Sequence, residues 1–361
     1  MLSARNAVRT LPTYHPPLSG RVGMRLDFNE NTVGCSPRVL QRLRELDAEQ
    51  IARYPEREPV EAIAADFFRI KGEELLLTNG IDEAIHLLCE TYLEPDDQAI
   101  IVVPTFSMYE ISATATGAQV VKVPAAIDFR FPLDSVLGAI NSRTRLIAVA
   151  NPNNPTGSAA DADELLQVAR RAHDAAVLVD EAYFEFCGET LLRAWSEVRN
   201  LFVARTFSKA YGMAGMRVGV LCGDAAQIAM VRKVASPYNV NGIALACLPE
   251  ALADQEYVDA YVRQVCAGRQ RLEQELHTLG IEYWPSRANF VLARLGPACS
   301  AFIAAVRARG ILLRDRSSDA GCTGCVRMTL GTLQQTEQLL AALREAVKEI
   351  GVAEAARLVT R

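Results

Sequence analysis

The stretch TFSKAYGMAGMR, residues 206–217, directly follows the apolar, strand-like run 201–204. A lysine at a strand end, here Lys209, can form a Schiff base with an aldehyde cofactor. Ser208 and Arg217 could hold a phosphate on that cofactor, because a guanidinium binds phosphate oxygens in a bidentate fork. The two glycines between them allow a sharp turn and a close backbone approach. The stretch fits either an anchor for pyridoxal 5′-phosphate (PLP) or a loop with an exposed lysine and arginine.

Two further strand ends favour the cofactor site. NPNNPTG, residues 151–157, follows the apolar run 146–150, and its prolines and glycine can continue neither a strand nor a helix. The run 176–179 ends in Asp180, with Tyr183 three residues later. A carboxylate leaving a buried strand needs a partner, and a protonated pyridine nitrogen would be one. The structural alternatives are a simple turn for the first segment and a helix N-cap for Asp180.

The set NPNNPTG, DEAY and TFSKAYGMAGMR resembles the fold-type I PLP-dependent aminotransferases, and within them the chain looks like the histidinol-phosphate aminotransferase family. The resemblance extends over nearly the whole chain, from Val8 to Thr332. It includes Asn29-Glu30, Arg53-Tyr54-Pro55 and the segment 78–83. These cofactor motifs are specific for the superfamily, and less so for the substrate.

The resemblance implies roles for four groups around the reacting centre. Lys209 would attach PLP covalently and later carry the proton between the substrate's α-carbon and the cofactor. Asp180 would pair with the pyridine nitrogen and keep it protonated, which makes the ring an electron sink. Tyr183 and Asn154 would hydrogen-bond the phenolic oxygen of the cofactor.

Five residues are expected at the cofactor phosphate. Gly80, Ile81 and Asp82 precede a helical pattern, and backbone N–H groups at a helix start bind anions. Ser208 and Arg217 would add side-chain donors. Relatives often carry a small residue in place of Ile81, and a backbone contact tolerates that change. An ordinary turn is the alternative for Gly80.

Two aromatic residues complete the implied cofactor site. Phe106 occupies the position whose ring stacks on the pyridine, where many relatives have tyrosine, and stacking needs only a π face. Tyr54 would reach the phosphate of the partner subunit's cofactor, which implies a homodimer with shared sites. An ordinary core phenylalanine and a surface tyrosine are the respective alternatives.

The resemblance also implies a substrate site that recognises anions. Arg327 matches the arginine that binds the substrate carboxylate or phosphate, and Arg314 and Tyr14 match further anion contacts. Asn239 is a weaker candidate. The alternative for Arg314 is a solvated charge at a strand end.

Composition limits the range of functions. The 361 residues suffice for two domains, with 50% hydrophobic and 22% charged residues. A net charge of −5 provides no general field for nucleic acid or an anionic membrane. We expect neither a transmembrane helix nor a signal peptide, since no apolar segment of the required kind occurs.

The nine cysteines are irregularly spaced. Their odd number, without a secretory signal, favours reduced thiols and a cytoplasmic location. Cys322 and Cys325 have the CxxC spacing of a zinc or redox site, but there is no second such pair and no histidine nearby. A loop is therefore the favoured interpretation, and no metal site is predicted.

Apolar runs alternating with amphipathic helices predict an α/β fold. A buried, mostly parallel seven-stranded sheet covered by helices is expected, because such runs suit strands enclosed on both faces. Six of its strands are predicted from apolar runs, at 75–77, 99–103, 146–150, 176–179, 201–204 and 218–221. A smaller α+β domain follows a long helix at 255–280, with strands at 289–294, 311–314 and 326–329 and helices at 299–310 and 333–349. The predicted division is an N-terminal arm with part of the small domain (1–45), a large PLP-binding domain (46–250) and a small C-terminal domain (251–361).

The predicted function is transamination between glutamate or 2-oxoglutarate and histidinol phosphate or imidazole-acetol phosphate, in histidine biosynthesis. An aromatic amino acid aminotransferase would share every cofactor residue. A PLP-dependent threonine-phosphate decarboxylase would use the same fold on another phosphorylated substrate. A non-catalytic regulatory PLP module is disfavoured, because no DNA-binding domain fits before the first motif and no basic patch is visible.

Overall fold

A seven-stranded sheet forms the centre of the molecule. The computed structural model describes residues 2–9, 11, 13 and 20–351. The strands are β1 (Met24–Arg25), β2 (Leu75–Thr78), β3 (Gln98–Val103), β4 (Gln119–Pro124), β5 (Thr144–Ala150), β6 (Ala176–Asp180), β7 (Leu201–Thr206), β8 (Gly219–Gly223), β9 (Glu282–Trp284), β10 (Phe290–Arg294), β11 (Ile311–Leu312), β12 (Arg314–Asp315) and β13 (Cys325–Thr329). The central sheet has the order β2-β8-β7-β6-β5-β3-β4, and only β8 runs antiparallel to its neighbours. The prediction of a mostly parallel α/β sheet is confirmed.

The α-helices of the described chain cover both faces of this sheet or, for the last three, pack on the smaller sheet described below. They are α1 (Asn6–Arg9), α2 (Pro37–Arg44), α3 (Ala48–Ala52), α4 (Glu58–Phe68), α5 (Ile81–Tyr92), α6 (Met108–Thr116), α7 (Leu133–Ala139), α8 (Ala162–Arg171), α9 (Phe184–Cys187), α10 (Ala225–Val231), α11 (Gly242–Ala253), α12 (Gln255–Thr278), α13 (Cys299–Ala308) and α14 (Leu333–Ile350). Alternate residues of a strand point to opposite faces. Leu178 accordingly packs with α5 and α6, whereas Val177 and Val179 pack with α8 in the larger core. None of these helices has the length and apolar character needed to cross a bilayer.

The second half of the chain adds a smaller antiparallel sheet of order β12-β13-β10-β9. The helices α12, α13 and α14 pack together with it. The N-terminal segment returns to this region, because Met24 and Arg25 pair in parallel with Ile311 and Leu312. The N–H of Thr329 also donates to the carbonyl of Leu26, at 3.0 Å.

The elements not anticipated from the sequence include β4, β9 and α11, and one predicted strand differs from the structure. The edge strand β4 is largely exposed, so it lacks the continuous apolar run of a buried strand. The three-residue β9 is too short for a pattern, and α11 is apolar nearly all round with Pro249 inside it. The predicted strand 311–314 divides at Leu313, so that β11 pairs with β1 and β12 pairs with β13.

The register of the central sheet brings three strand ends together. Ala150 at the end of β5 lies opposite Asp180 at the end of β6, and Asp180 lies opposite Ala204 in β7. Parallel strands present their carboxyl ends at one edge, where α/β sheets bind ligands. The loops that begin at Asn151 and Phe207 therefore start from the same edge of the sheet.

Candidate active site

A cleft of about 660 Å³ lies beyond these strand ends. Fourteen residues line it. Nine of them are predicted cofactor residues, namely Ile81, Asp82, Phe106, Asn154, Asp180, Tyr183, Ser208, Lys209 and Arg217. They come from segments up to 136 residues apart along the chain, so the fold rather than local sequence assembles the cleft.

Asp180 is the buried carboxylate of the cleft. Its side chain accepts a hydrogen bond from the Tyr109 hydroxyl at 2.5 Å and one from the Ala182 N–H at 2.9 Å. Burial raises the pKa of Asp180 to about 6, and these two donors act in the opposite direction. Tyr109 was not among the predicted site residues. Its contact spans 71 residues of sequence, so no local pattern reveals it.

Lys209 provides an amine at the edge of the same cleft. Its Nζ donates to the carbonyl oxygen of Phe28 at 3.2 Å. Burial lowers the pKa of Lys209 to about 8, and the positive charge of Arg327 adds to this effect. A larger neutral fraction makes this amine a better nucleophile and proton acceptor near neutral pH than an exposed lysine.

Tyr183 and Asn154 lie in the same cleft, and each accepts a hydrogen bond from a different side chain. The buried Tyr183 hydroxyl accepts a hydrogen bond from Asn29 Nδ2 at 2.9 Å, and burial raises the pKa of this phenol. The Asn154 Oδ1 accepts a hydrogen bond from Arg327. Asn29 was quoted only as part of a motif, and the structure gives it this direct contact.

The other end of the cleft has the features of an anion site. Gly80 has φ +76°, and a Cβ there would approach Arg217 Nη2 to 2.6 Å. It immediately precedes α5, so free N–H groups of that helix start face the same region. Arg217 also pairs with Asp82 at 3.0 Å. The buried Ser208 Oγ has no hydrogen-bond partner within the described part of the chain, which is consistent with a donor reserved for a ligand.

A second cavity, of about 880 Å³, adjoins the first and shares Phe106, Asn154, Tyr183 and Lys209 with it. It adds three arginines, Arg314, Arg316 and Arg327. Only the first and the last of these were predicted. Asp315 and Asp319 also line the cavity, so that with Lys209 its charged residues are four cations and two carboxylates, a basic excess.

Arg327 is the most buried of these arginines. Its Nη2 donates to the carbonyl of Asp27 at 2.7 Å. Burial lowers its pKa to about 10, and repulsion from Arg316 and Arg314 contributes. Its Nε has no hydrogen-bond partner among the described residues. Arg314 lies over the ring of Phe28, with its guanidinium carbon 5.1 Å from the centroid.

Among the described residues, the predicted Tyr54 and Asn239 line neither cavity, and Gly80 adjoins the first cavity only through its contact with Arg217. Tyr54 is 78% exposed and stacks on Tyr238, with ring centroids 4.4 Å apart. The Asn239 amide donates to Glu83 at 2.7 Å and accepts from Arg57 at 2.6 Å, contacts that tie loops together beside the cleft. Tyr14 lies outside the described residues. The roles of Tyr54, Asn239 and Tyr14 stay predictions.

Cys322 and Cys325 are both buried in a small cluster with Phe129, Trp284 and Leu292. The N–H of Cys325 donates to the carbonyl of Cys322 at 2.9 Å, which forms a tight turn before β13. The described residues contain no group of three or more His, Cys, Asp and Glu side chains suited to a metal ion.

The sequence and the fold of this chain are similar to those of known proteins. A family model described as aminotransferase class I and II matches residues 21–343. The chain is 36% identical over 365 residues to the histidinol-phosphate aminotransferase of Symbiobacterium thermophilum, with 97% of this chain and 100% of that protein covered. It is 32% identical over 373 residues to the enzyme of that name from Geobacillus, with 96% and 99% covered. A crystal structure of the histidinol-phosphate aminotransferase from Sinorhizobium meliloti in complex with PLP has a TM-score of 0.84 at 25% identity, covering 96% of this chain and 97% of that one.

Proposed function

The chain belongs to the aminotransferase class I and II family, and we propose that it transfers an amino group between glutamate and imidazole-acetol phosphate, in histidine biosynthesis. The observation that supports this substrate pair is the junction of the two cavities. Lys209 lines both, with Asp180 in the first and Arg327 in the second. A transaminase accepts two substrates in turn, and both of these carry an anion that a guanidinium fork can bind.

The cofactor is PLP, and the residues present fit it. The buried Ser208 Oγ without a partner, the glycine at 80 and the start of α5 suit a phosphate. We assign Gly80, Ile81, Asp82, Ser208 and Arg217 to the phosphate. Asp180 is assigned to the ring nitrogen, Tyr183 and Asn154 to the phenolic oxygen, and Phe106 to the ring face. When bound, PLP supplies a ring that withdraws electrons from the substrate's reacting carbon.

The protein's own groups position the substrate and move protons. The Lys209 amine, whose pKa is lowered to about 8, would accept the proton from the substrate's α-carbon and deliver it to the cofactor. Arg327 and Arg314 orient the substrate by its anion. Asp180, which accepts a hydrogen bond from Tyr109, would provide the negative charge that pairs with the cofactor's ring nitrogen. Hydrogen bonds from Asn29 and Arg327 hold the Tyr183 hydroxyl and the Asn154 side chain in position.

The active unit is proposed to be a cytoplasmic homodimer. The exposed Tyr54–Tyr238 stack is an aromatic surface of the kind enriched at interfaces, and Tyr54 would reach the partner's cofactor phosphate. The cysteines form no disulfides in the described structure, which suits a reducing compartment. We retain the domain division 1–45, 46–250 and 251–361, since β9 to β13 and α13 and α14 all lie in the last part. No nucleic-acid or membrane partner is proposed.

Half-reactions test the function directly. The PLP-loaded enzyme is mixed separately with glutamate, histidinol phosphate, phenylalanine and threonine phosphate, and conversion of PLP to pyridoxamine phosphate is followed by absorbance. We expect rapid conversion with the first two. A wide preference for phenylalanine over histidinol phosphate would make the chain an aromatic aminotransferase instead. Release of carbon dioxide from threonine phosphate would make it a decarboxylase.

A further inference from the structure

The antiparallel pair β12–β13 places like charges together. Arg314 lies directly opposite Arg327 in the register of this pair. Like charges at directly opposed positions destabilise a sheet. Because successive side chains alternate between faces, Arg316 follows on the same side as Arg314, and it lines the same cavity. Three guanidinium groups therefore converge on one space, an arrangement that an anion of high charge would stabilise.

Arg316 differs from the other two arginines in its partner, which is a carboxylate. Its guanidinium forms an ion pair with Asp319, three residues later, and both side chains are mostly buried. Its Nε has no hydrogen-bond partner among the described residues. Burial raises the pKa of Asp319, and all three arginines oppose that rise. Asp319 is thus a local counter-ion for the basic cavity, with a single direct partner in Arg316.

The two proposed substrates differ in the reach and charge of their anions. In glutamate the α-carboxylate is attached directly to the amine-bearing carbon and carries one negative charge. In histidinol phosphate the phosphorus lies two bonds further out and the group carries nearly two charges near pH 7. On the side of the site that holds the α-carboxylate or the phosphate, a guanidinium placed beyond Arg327 would contact the phosphate but not the α-carboxylate.

We infer that Arg316 is a third phosphate ligand that discriminates histidinol phosphate from glutamate, and that Arg316 stays paired with Asp319 when a carboxylate is bound. This inference rests on the proposed function. Arg327 then serves both anions, whereas Arg316 exchanges its carboxylate partner for the phosphate. The ion pair is a specificity device rather than a fixed structural link.

Replacing Arg316 and replacing Asp319 should have opposite effects on the binding of phosphate. With the PLP-loaded enzyme, Arg316→Gln should raise the apparent dissociation constant for histidinol phosphate about tenfold or more, with less than about a twofold change for glutamate. Arg316→Lys should recover part of the loss. Asp319→Asn keeps an oxygen for Arg316 but removes the negative charge that competes with phosphate. The variant enzyme should therefore bind histidinol phosphate several-fold more tightly. Arg344→Gln, which breaks an exposed pair with Glu275 between α14 and α12, is the matched control.

Inorganic phosphate is the second probe. It should compete with glutamate, more weakly in Arg316→Gln and more strongly in Asp319→Asn than in wild type. If both variants weaken phosphate, or if Arg316→Gln impairs glutamate equally, the pair is structural and the inference is wrong. If wild type does not convert histidinol phosphate but phosphate competition follows the expected order, the proposed function fails while the anion site stands.

Discussion

Replacing Tyr109 by phenylalanine tests the electrostatics of the cleft. The change removes the hydroxyl that donates to Asp180 at 2.5 Å and keeps the buried ring. The lost hydrogen bond favours the ionised carboxylate, so its removal must raise the pKa of Asp180 above about 6. A hydrogen bond to a charged group contributes roughly 1.5–3 kcal/mol, and one pH unit corresponds to about 1.4 kcal/mol. We therefore expect a rise of about one to two pH units.

The assay is the pH dependence of kcat/KM for glutamate. In the role proposed for Asp180, its ionised form pairs with the cofactor's ring nitrogen. Activity should therefore fall as the pH drops through the pKa of Asp180, and in Tyr109→Phe this acid limb should move to higher pH. PLP affinity should weaken near pH 6 and recover above pH 8. Tyr92→Phe is the control, since that hydroxyl donates to Gln227 at 2.9 Å and does not line the cleft. Coinciding acid limbs in Tyr109→Phe and wild type would refute the reasoning.

Further predictions concern the amine, the dimer and the anion site. Lys209→Ala should lose more than the roughly 10²–10⁴-fold typical of a positioned acid–base group, and borohydride should no longer fix PLP to the protein. A near-native rate would contradict that role. Covalent uptake of PLP by the cofactor-free protein should rise with pH around a midpoint of about 8, because only the neutral amine reacts, and a midpoint near the ordinary 10.5 would contradict the effect of burial. Mixing Tyr54→Ala and Lys209→Ala chains should restore part of the activity, since one site of each mixed dimer has both residues. No recovery, with subunit exchange verified, would place Tyr54 outside the partner's site. Arg327→Lys keeps the charge but loses the fork, so half-reactions with glutamate and histidinol phosphate should each weaken by about 1.5–3 kcal/mol. Unchanged half-reactions would assign Arg327 a purely structural role.

The central sheet was predictable from sequence because its strands are buried on both faces. Every residue of β6 and β7 is buried, and the first four residues of each strand appear in the sequence as a continuous apolar run. The edge strand β4 has no such run, because its exposed positions accept polar residues such as Gln119 and Lys122. The division of 311–314 at Leu313 depends on which strand each half pairs with. That is a tertiary property which local pattern does not contain.

The candidate site was predictable where a polar residue lies at or shortly after the end of a strand. Asp180 is the last residue of β6 and Lys209 follows the end of β7, and the register explains why both strand ends open into one cleft. Contacts that join distant segments were missed. Tyr109 is an ordinary tyrosine in the first turns of α6 by sequence, and only its position over Asp180 gives it a role. Arg316 is likewise distinguished from other arginines only by the cavity it lines.

The buried charges of the cleft are more stable with ligands than without them. Burial raises the pKa of Asp180 and lowers the pKa values of Lys209 and Arg327, so each charged form is disfavoured by its surroundings. The hydrogen bonds that these groups make are to a phenol, an amide and carbonyl oxygens rather than to one another. A cationic ring nitrogen beside Asp180 and an anionic substrate beside Arg327 would supply the missing countercharges. Unfavourable free energy in the cofactor-free protein is thereby recovered on binding, and charges of both signs can stand close together in one cleft because each is matched to a different part of the cofactor or substrate.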